Sequence, residues 1–255
     1  MNAVAPLQVA ERDRVVYVQV THPSPAGASA SRAAEHLLDL CSEIRQRLDV
    51  PNALVLVSKG DSFCTQPPTS AADCEQSGEV WRETIQAVAE LNVPTVAGLA
   101  GNAIGTAWEL AMACDLRLAE AQVSLGSPES RLGCMPSCGG TQRLARLVGP
   151  ALALQMLLLG EIVDSGTALE RGLIHRVVQT GGIDAGLELL LEPLRHAAPL
   201  AQGYAKEAVY QAQDLSLSDG LRLEADLATL LQTTRDRTEG IKAFLERRTP
   251  RYEGR

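Results

Sequence analysis

The chain has 255 residues, 45% of them apolar and 21% charged, and its 23 Lys and Arg stand against 31 Asp and Glu for a formal net charge of −8. This composition excludes a disordered polyelectrolyte, a collagen-like chain and a disulfide-dense miniprotein. The acidic balance argues against nucleic acid as a bulk partner, because phosphate binding needs clustered positive charge. The length suits one large domain or two small ones, and with only eight aromatic residues the core must be filled mainly by Leu, Ala and Val.

Taken in chain order, residues 14–20 are rich in β-branched side chains and predict a strand. Residues 22–31, with two prolines, a glycine and three serines, predict a loop. Leu37, Leu38, Leu40, Ile44 and Leu48 recur at helical spacing within 33–48. The unbroken apolar run 53–57 predicts a strand covered on both faces. Residues 59–77 are polar and irregular, 80–91 helical, and 95–100 a third strand. A glycine-flanked turn, Gly101 to Gly105, leads into a helix over 107–114. Short strands are expected at 116–118, 123–125 and 174–178. Two helices are expected at 140–148 and 151–159, separated by Gly149 and Pro150, and a long one from about 218 to 247. Strands alternating with helices, then helices alone, predict an α/β fold with three parallel strands joined by right-handed crossovers.

No apolar run reaches the roughly 20 residues that span a bilayer, so no membrane association is expected. The six cysteines (Cys41, Cys64, Cys74, Cys114, Cys134, Cys138) are scattered, and no basic-then-apolar leader precedes them. They read as reduced thiols of a cytoplasmic protein. Cys134 and Cys138 lie four apart with no second Cys or His pair, so no metal site is expected. Arg247, Arg248, Arg251 and Arg255 read as a solvated basic tail.

Four places can carry chemistry. The turn Gly101-Asn-Ala-Ile-Gly105 before a helix offers free backbone N–H groups to an anion or a developing oxyanion, or is simply a tight strand-to-helix connection. Glu109 stands in the first turn of an apolar helix, where the helix dipole or a catalytic role accounts for it. Glu129, in Gly126-Ser-Pro-Glu129-Ser-Arg-Leu-Gly133, is either a surface glutamate paired with Arg131 or a side chain aimed into a cleft. Gly139-Gly140-Thr141-Gln142-Arg143 reads as a helix start with Thr141 near the cap. His22, His36, His175 and His196 have no Ser or Cys elbow beside them and G-x-S-x-G is absent, which argues against a hydrolytic triad.

The stretch Gly101-Asn-Ala-Ile-Gly-Thr-Ala-Trp-Glu-Leu-Ala-Met-Ala-Cys-Asp115 closely resembles the enoyl-CoA hydratase/isomerase (crotonase) family. So does the block from Pro128-Glu129 through Gly133, Pro136 and Gly139-Gly140-Thr-Gln-Arg-Leu144. Gly160-Glu161, Ala168 to Val178, Ala205-Lys206-Glu207-Ala208-Val209 and the ending from Gly240 to Arg255 keep the family order, so that the resemblance covers roughly residues 50–255.

The resemblance implies a spiral of ββα units (residues 1–190) followed by a helical trimerisation region (191–255), assembled as a homotrimer or a dimer of trimers. It implies an acyl-CoA thioester substrate, in fatty acid metabolism, with coenzyme A entering as part of the substrate and no separate cofactor. Glu109 would activate water for attack at Cβ and Glu129 would deliver a proton to Cα. Two carboxyl groups sharing one site do not both ionise cheaply, so one serves as base and the other as acid. The backbone N–H of Thr106, beside Gly105, would be one oxyanion donor.

The other donor loop departs from the family pattern. Here it reads Phe63-Cys64-Thr65-Gln66-Pro67-Pro68, and the aligned donor position falls on Pro67, which has no N–H. Gln66 or Thr65 would then donate, with Phe63, Cys64, Thr65, Gly105 and Trp108 against the substrate. Family members that shift double bonds keep only the second glutamate, so the presence of Glu109 favours hydration. Two alternatives stay open: an isomerase, lyase or dehydratase of the same fold on an unusual acyl thioester, and a non-catalytic relative that has lost its oxyanion hole.

Overall fold

A computed structural model describes residues 7–20, 28–58, 60–64 and 71–255. Strands β1 (Leu7–Arg12) and β2 (Val15–Val20) form an antiparallel hairpin through Asp13 and Arg14, both at positive φ (49° and 60°). Two such residues make a tight hairpin whose twist matches its strands. It is reached without glycine because tertiary contacts hold it: the Arg14 guanidinium donates to the carbonyls of Val50 and Tyr252, each at 2.6 Å.

Then come α1 (Ala28–Gln46), β3 (Ala53–Ser58), α2 (Ala71–Ala89), β4 (Thr95–Leu99), β5 (Ala103–Ile104), α3 (Thr106–Ala113), β6 (Leu116–Glu120) and β7 (Ser124–Gly126). A 3-10 helix (Glu129–Leu132) precedes α4 (Gly140–Leu159), β8 (Ile162–Asp164), α5 (Ser165–Glu170) and β9 (Arg176–Val178). Helices α6 (Ile183–Arg195), α7 (Pro199–Gln211), α8 (Leu217–Gln232) and α9 (Arg235–Glu246) complete the chain.

The main sheet runs β1-β2-β3-β4-β6-β9, with every pair after the hairpin parallel. β3 is buried along its whole length, as its apolar run predicts. Strand alternation sends Leu54 and Leu56 to one face, where they pack with Leu37, Trp81, Ile85 and Leu110 of the crossover helices. Val55 and Val57 face the other side and pack with Ile183, Leu187 and Leu191 of α6. A small sheet, β5-β7-β8, lies beside the ends of these strands.

Three expectations need correction. The helix expected over 218–247 is two helices, because Thr234 stops α8 and caps α9, its hydroxyl accepting the Arg237 N–H at 3.1 Å. Helix α2 begins at Ala71, inside the stretch 59–77 expected to be irregular, whereas the two helices expected at 140–148 and 151–159 are present and meet within α4 at a kink where Gly149 takes φ 79°, ψ 162° before Pro150. Strands β1, β5 and β8 lie outside the expected set: β1 exposes all but its first residue, and β5 and β8 span two and three residues.

No helix among the described residues is long and apolar enough to cross a membrane. Cys41, Cys64, Cys114, Cys134 and Cys138 are free thiols.

Candidate active site

The site is assembled where β4 ends. Gly101 lies so close to the segment leaving β3 that an added Cβ would fall 2.2 Å from the Gly60 carbonyl and 2.6 Å from the Ser62 nitrogen. Backbone bonds lock this approach: Asn102 N–H donates to Asp61 O at 2.9 Å, and Phe63 N–H donates to Asn102 O at 2.8 Å. The Asn102 side chain accepts the Ser124 N–H at 2.8 Å, tying the same turn to β7. The loop from Ser62 to Cys64 is thereby fixed against the entry to α3.

Gly105 precedes α3 at φ 66°, its N–H given to Gly126 O at 2.9 Å. Thr106 is the first residue of the helix, where an N–H has no acceptor within the helix itself and sits at the positive end of its dipole. The expected oxyanion donor is therefore at a helix start, as the sequence indicates. Thr65, Gln66 and Pro67 lie outside the described residues. Phe63, Cys64 and Trp108 are 0%, 2% and 0% exposed and belong to the hydrophobic core. The indole N–H of Trp108 is buried without a partner among the described residues.

Glu109 is 1% exposed. Its Oε1 accepts the N–H groups of Cys138 (2.8 Å) and Gly140 (2.7 Å), so the carboxyl sits on the start of α4. Only glycine permits this contact, since a Cβ on residue 140 would lie 2.8 Å from that same oxygen and 2.9 Å from Pro136. The Gly139-Gly140 pair, read from the sequence as a helix start, is thus also the seat of the Glu109 carboxyl. The α4 N-cap is Gly139, with no side-chain cap, rather than Thr141. Burial pushes Glu109 above the usual carboxylate range, against the two N–H bonds and the positive charge of Arg143, which pull it down.

Glu129 opens the 3-10 helix, whose turn ends at Gly133 in the left-handed region (φ 77°). It is 3% exposed, which settles the choice between surface loop and cleft in favour of burial. Arg131 is not its partner; that guanidinium donates to Leu159 O at 2.8 Å. Burial pushes Glu129 up to about 7, opposed by its own backbone N–H and reinforced by the charge of Glu109. The charge of Glu109 is thus felt at Glu129. Oε2 of Glu129 and Oγ of Ser127 are buried without hydrogen-bond partners among the described residues. Sequence reasoning passed over Cys138 and Arg143 as parts of this wall, because only the fold brings them toward Glu109.

The arrangement provides two buried carboxyls with unequal proton affinity beside a helix N-terminus. Burial pushes both carboxyls up; at Glu109 two N–H donors and the charge of Arg143 oppose the rise, whereas Glu129 Oε2 has no partner among the described residues and its carboxyl is raised to about 7. Such a pair can take a proton from one atom and give one to another.

The family model described as enoyl-CoA hydratase/isomerase matches residues 11–255. A 2,3-dehydroadipyl-CoA hydratase of Escherichia coli is 44% identical over 165 residues, covering 64% of this chain and 64% of that protein, a little under two thirds of its length. A probable enoyl-CoA hydratase of Mycobacterium tuberculosis is 31% identical over 255 residues, covering 96% and 97% of the two chains. Among solved structures, an enoyl-CoA hydratase from Bacillus anthracis superposes with a TM-score of 0.88 at 27% identity, covering 98% of this chain and 100% of its own. The family model, the relatives and the fold agree, and the chain belongs to the enoyl-CoA hydratase/isomerase (crotonase) family.

Proposed function

We propose that this protein reversibly adds water across the α,β double bond of an acyl-CoA thioester. The observation that carries the reading is the pair of buried glutamates beside the start of α3, one seated on two backbone N–H donors and the other with an oxygen that has no partner among the described residues. Named relatives that are hydratases support it.

In the hydration direction the Glu109 carboxylate takes a proton from water as the water oxygen bonds to Cβ. The π electrons move toward the thioester carbonyl, and the negative charge on its oxygen is met by the Thr106 N–H at the positive end of α3. The protonated Glu129 gives its proton to Cα as the enolate collapses, and exchange between the two carboxyls restores the starting state. The second oxyanion donor falls to the Gln66 N–H, since Pro67 cannot donate. The addition draws only on side chains and backbone of this chain, with coenzyme A brought in by the substrate.

The test is turnover of crotonyl-CoA in heavy-oxygen water. The expected product carries one solvent oxygen on Cβ; a product with a moved double bond and no solvent oxygen assigns the site to isomerisation, and no turnover with no acyl-CoA binding by calorimetry assigns it to a non-catalytic role.

The reading extends to a homotrimer, or a dimer of trimers, in the cytoplasm. Supporting it, the last two helices leave the large apolar side chains Leu217, Leu221, Ile241, Phe244 and Leu245 exposed (81%, 56%, 45%, 82% and 75%). The residues before about 190 form the core and those after it the assembly region. Sedimentation should give the mass of three or six chains, and a mass of one chain at micromolar concentration would remove this extension.

A further inference from the structure

The wall that holds Glu109 has a second side. There the Arg143 guanidinium donates to the Cys138 carbonyl at 2.7 Å and to Gln86 Oε1 of α2 at 3.1 Å. It lies flat on the turn, because residue 139 is a glycine at φ 98° whose absent Cβ would stand 2.2 Å from Nη1. The same three-residue turn therefore presents two N–H groups inward to Glu109 and one carbonyl outward to Arg143. An N–H pair delivered by a turn of two glycines is only as well aimed as the turn is rigid, since glycine pays the largest entropy to be fixed. Arg143 supplies that rigidity and places a permanent charge behind the carboxyl.

We propose that Arg143 is a positioning residue: by clamping the turn from Cys138 to Gly140 it keeps both N–H groups on Glu109, keeps a positive charge behind that carboxyl, and aims it at the water whose proton it takes. The proposal rests on the reading of Glu109 as the base. Other ionisable groups around Glu109 do not replace this role. Glu129, from the 3-10 helix, repels a second negative charge. The Cys138 thiol is pushed up to about 12 by burial and stays neutral. On α2, Arg82 donates to Ser137 O at 3.0 Å and acts on the neighbouring residue of the wall. β5, Ala103 and Ile104, carries no charge.

Arg143 is half-buried and lines an open groove of about 930 Å³ together with Gln86, Gln142 and Arg146. Its replacement opens hydrated space rather than a cavity in the core, so the variants fold.

The experiment compares Arg143→Gln and Arg143→Lys with the parent by the pH dependence of kcat and kcat/KM on crotonyl-CoA. In parallel, the Glu109 carboxyl is titrated by carbon NMR of glutamate-labelled protein, assigned with Glu109→Gln. Hydration needs Glu109 ionised and Glu129 protonated, so the acid limb reports ionisation of Glu109 within the pair. Loss of the cation should move that limb and the carbon titration upward by about one pH unit. Turnover well below the acid limb should fall about tenfold, with KM changed less than twofold. Arg143→Lys, which keeps the charge, should bring the limb back. Gln86→Met, which frees one side of the guanidinium, should move it in the same direction by less. A uniform loss of kcat with the acid limb and the carbon titration unmoved would overturn the proposal, as would an Arg143→Lys profile no different from Arg143→Gln. If the parent does not hydrate crotonyl-CoA, the functional reading fails, and the carbon titration still decides whether Arg143 governs Glu109.

Discussion

Glu109→Gln and Glu129→Gln should each lower kcat for hydration by a factor of about 10² to 10⁴, the usual worth of a positioned acid or base, while leaving the fold intact. Glutamine keeps the shape of each side chain and, at 109, an oxygen able to accept from Cys138 and Gly140. What it removes is the ability to take or give a proton. Steady-state rates on crotonyl-CoA, with circular dichroism to confirm folding, decide the matter. Parental rates in both variants would end the acid–base assignment.

Glu129→Gln should also make the protein more stable at alkaline pH. The carboxyl of Glu129 rises on folding from an ordinary 4.5 to about 7 because burial disfavours its charge. A group raised in this way contributes stability that is complete below about 4.5 and is lost as pH climbs through 7. Above that, a buried carboxylate with an unpartnered oxygen remains. Removing it should gain about 2 kcal/mol at pH 8 and nearly nothing at pH 4. Urea midpoints at the two pH values measure this, and a variant less stable than the parent at pH 8 would contradict the burial argument. A side chain whose loss of function coincides with a gain in stability is the expected mark of a strained active site.

The second large effect is expected at Gly101. In Gly101→Ala the new Cβ meets three backbone atoms, of Gly60, Asp61 and Ser62, at 2.2 to 2.7 Å, and none can rotate away. Either the fold absorbs about 3 kcal/mol of overpacking, or the segment 60–63 moves off and breaks the Asn102–Asp61 and Phe63–Asn102 bonds. In both cases the segment 60–64 loses its fixed place against the entry to α3, and with it the proposed second donor. Loss of one oxyanion donor costs about 3 kcal/mol in the transition state, or a hundredfold or more in kcat. Gly220, within α8 and with nothing inside 4 Å of an added Cβ, serves as the control. Gly220→Ala should be neutral or stabilising by roughly 0.5–1 kcal/mol. Thermal melts and kcat together test the pair, and a Gly101→Ala protein that matches the parent in both would show that the close approach is not required.

What could be read without coordinates was governed by local patterns. The apolar run 53–57 announces a doubly covered strand because every one of its side chains needs an apolar neighbour. Glu109 and Glu129 are visible as candidates because each stands in a motif whose glycines and apolar flanks are unusual around a carboxylate. The short strands β5 and β8 and the hairpin at Asp13-Arg14 were hidden because their conformations are imposed from outside. Neither β5 nor β8 is long enough to show alternation, and the hairpin depends on carbonyls of Val50 and Tyr252 far along the chain. The division of α8 from α9 was available in Thr234, a good cap inside an otherwise helical pattern.

The sequence by itself determined the α/β order, the family and the identity of the two acidic residues, because these follow from periodicity and from motifs that are contiguous in the chain. Only the tertiary structure decided that Glu109 rests on two N–H groups near α4, that Glu129 is buried without Arg131, and that Arg143 closes the far side of the same turn. Those are matters of burial and of hydrogen bonds between segments up to 57 residues apart, and the proton affinity of a carboxyl is set by the dielectric and donors around it rather than by its neighbours in the chain.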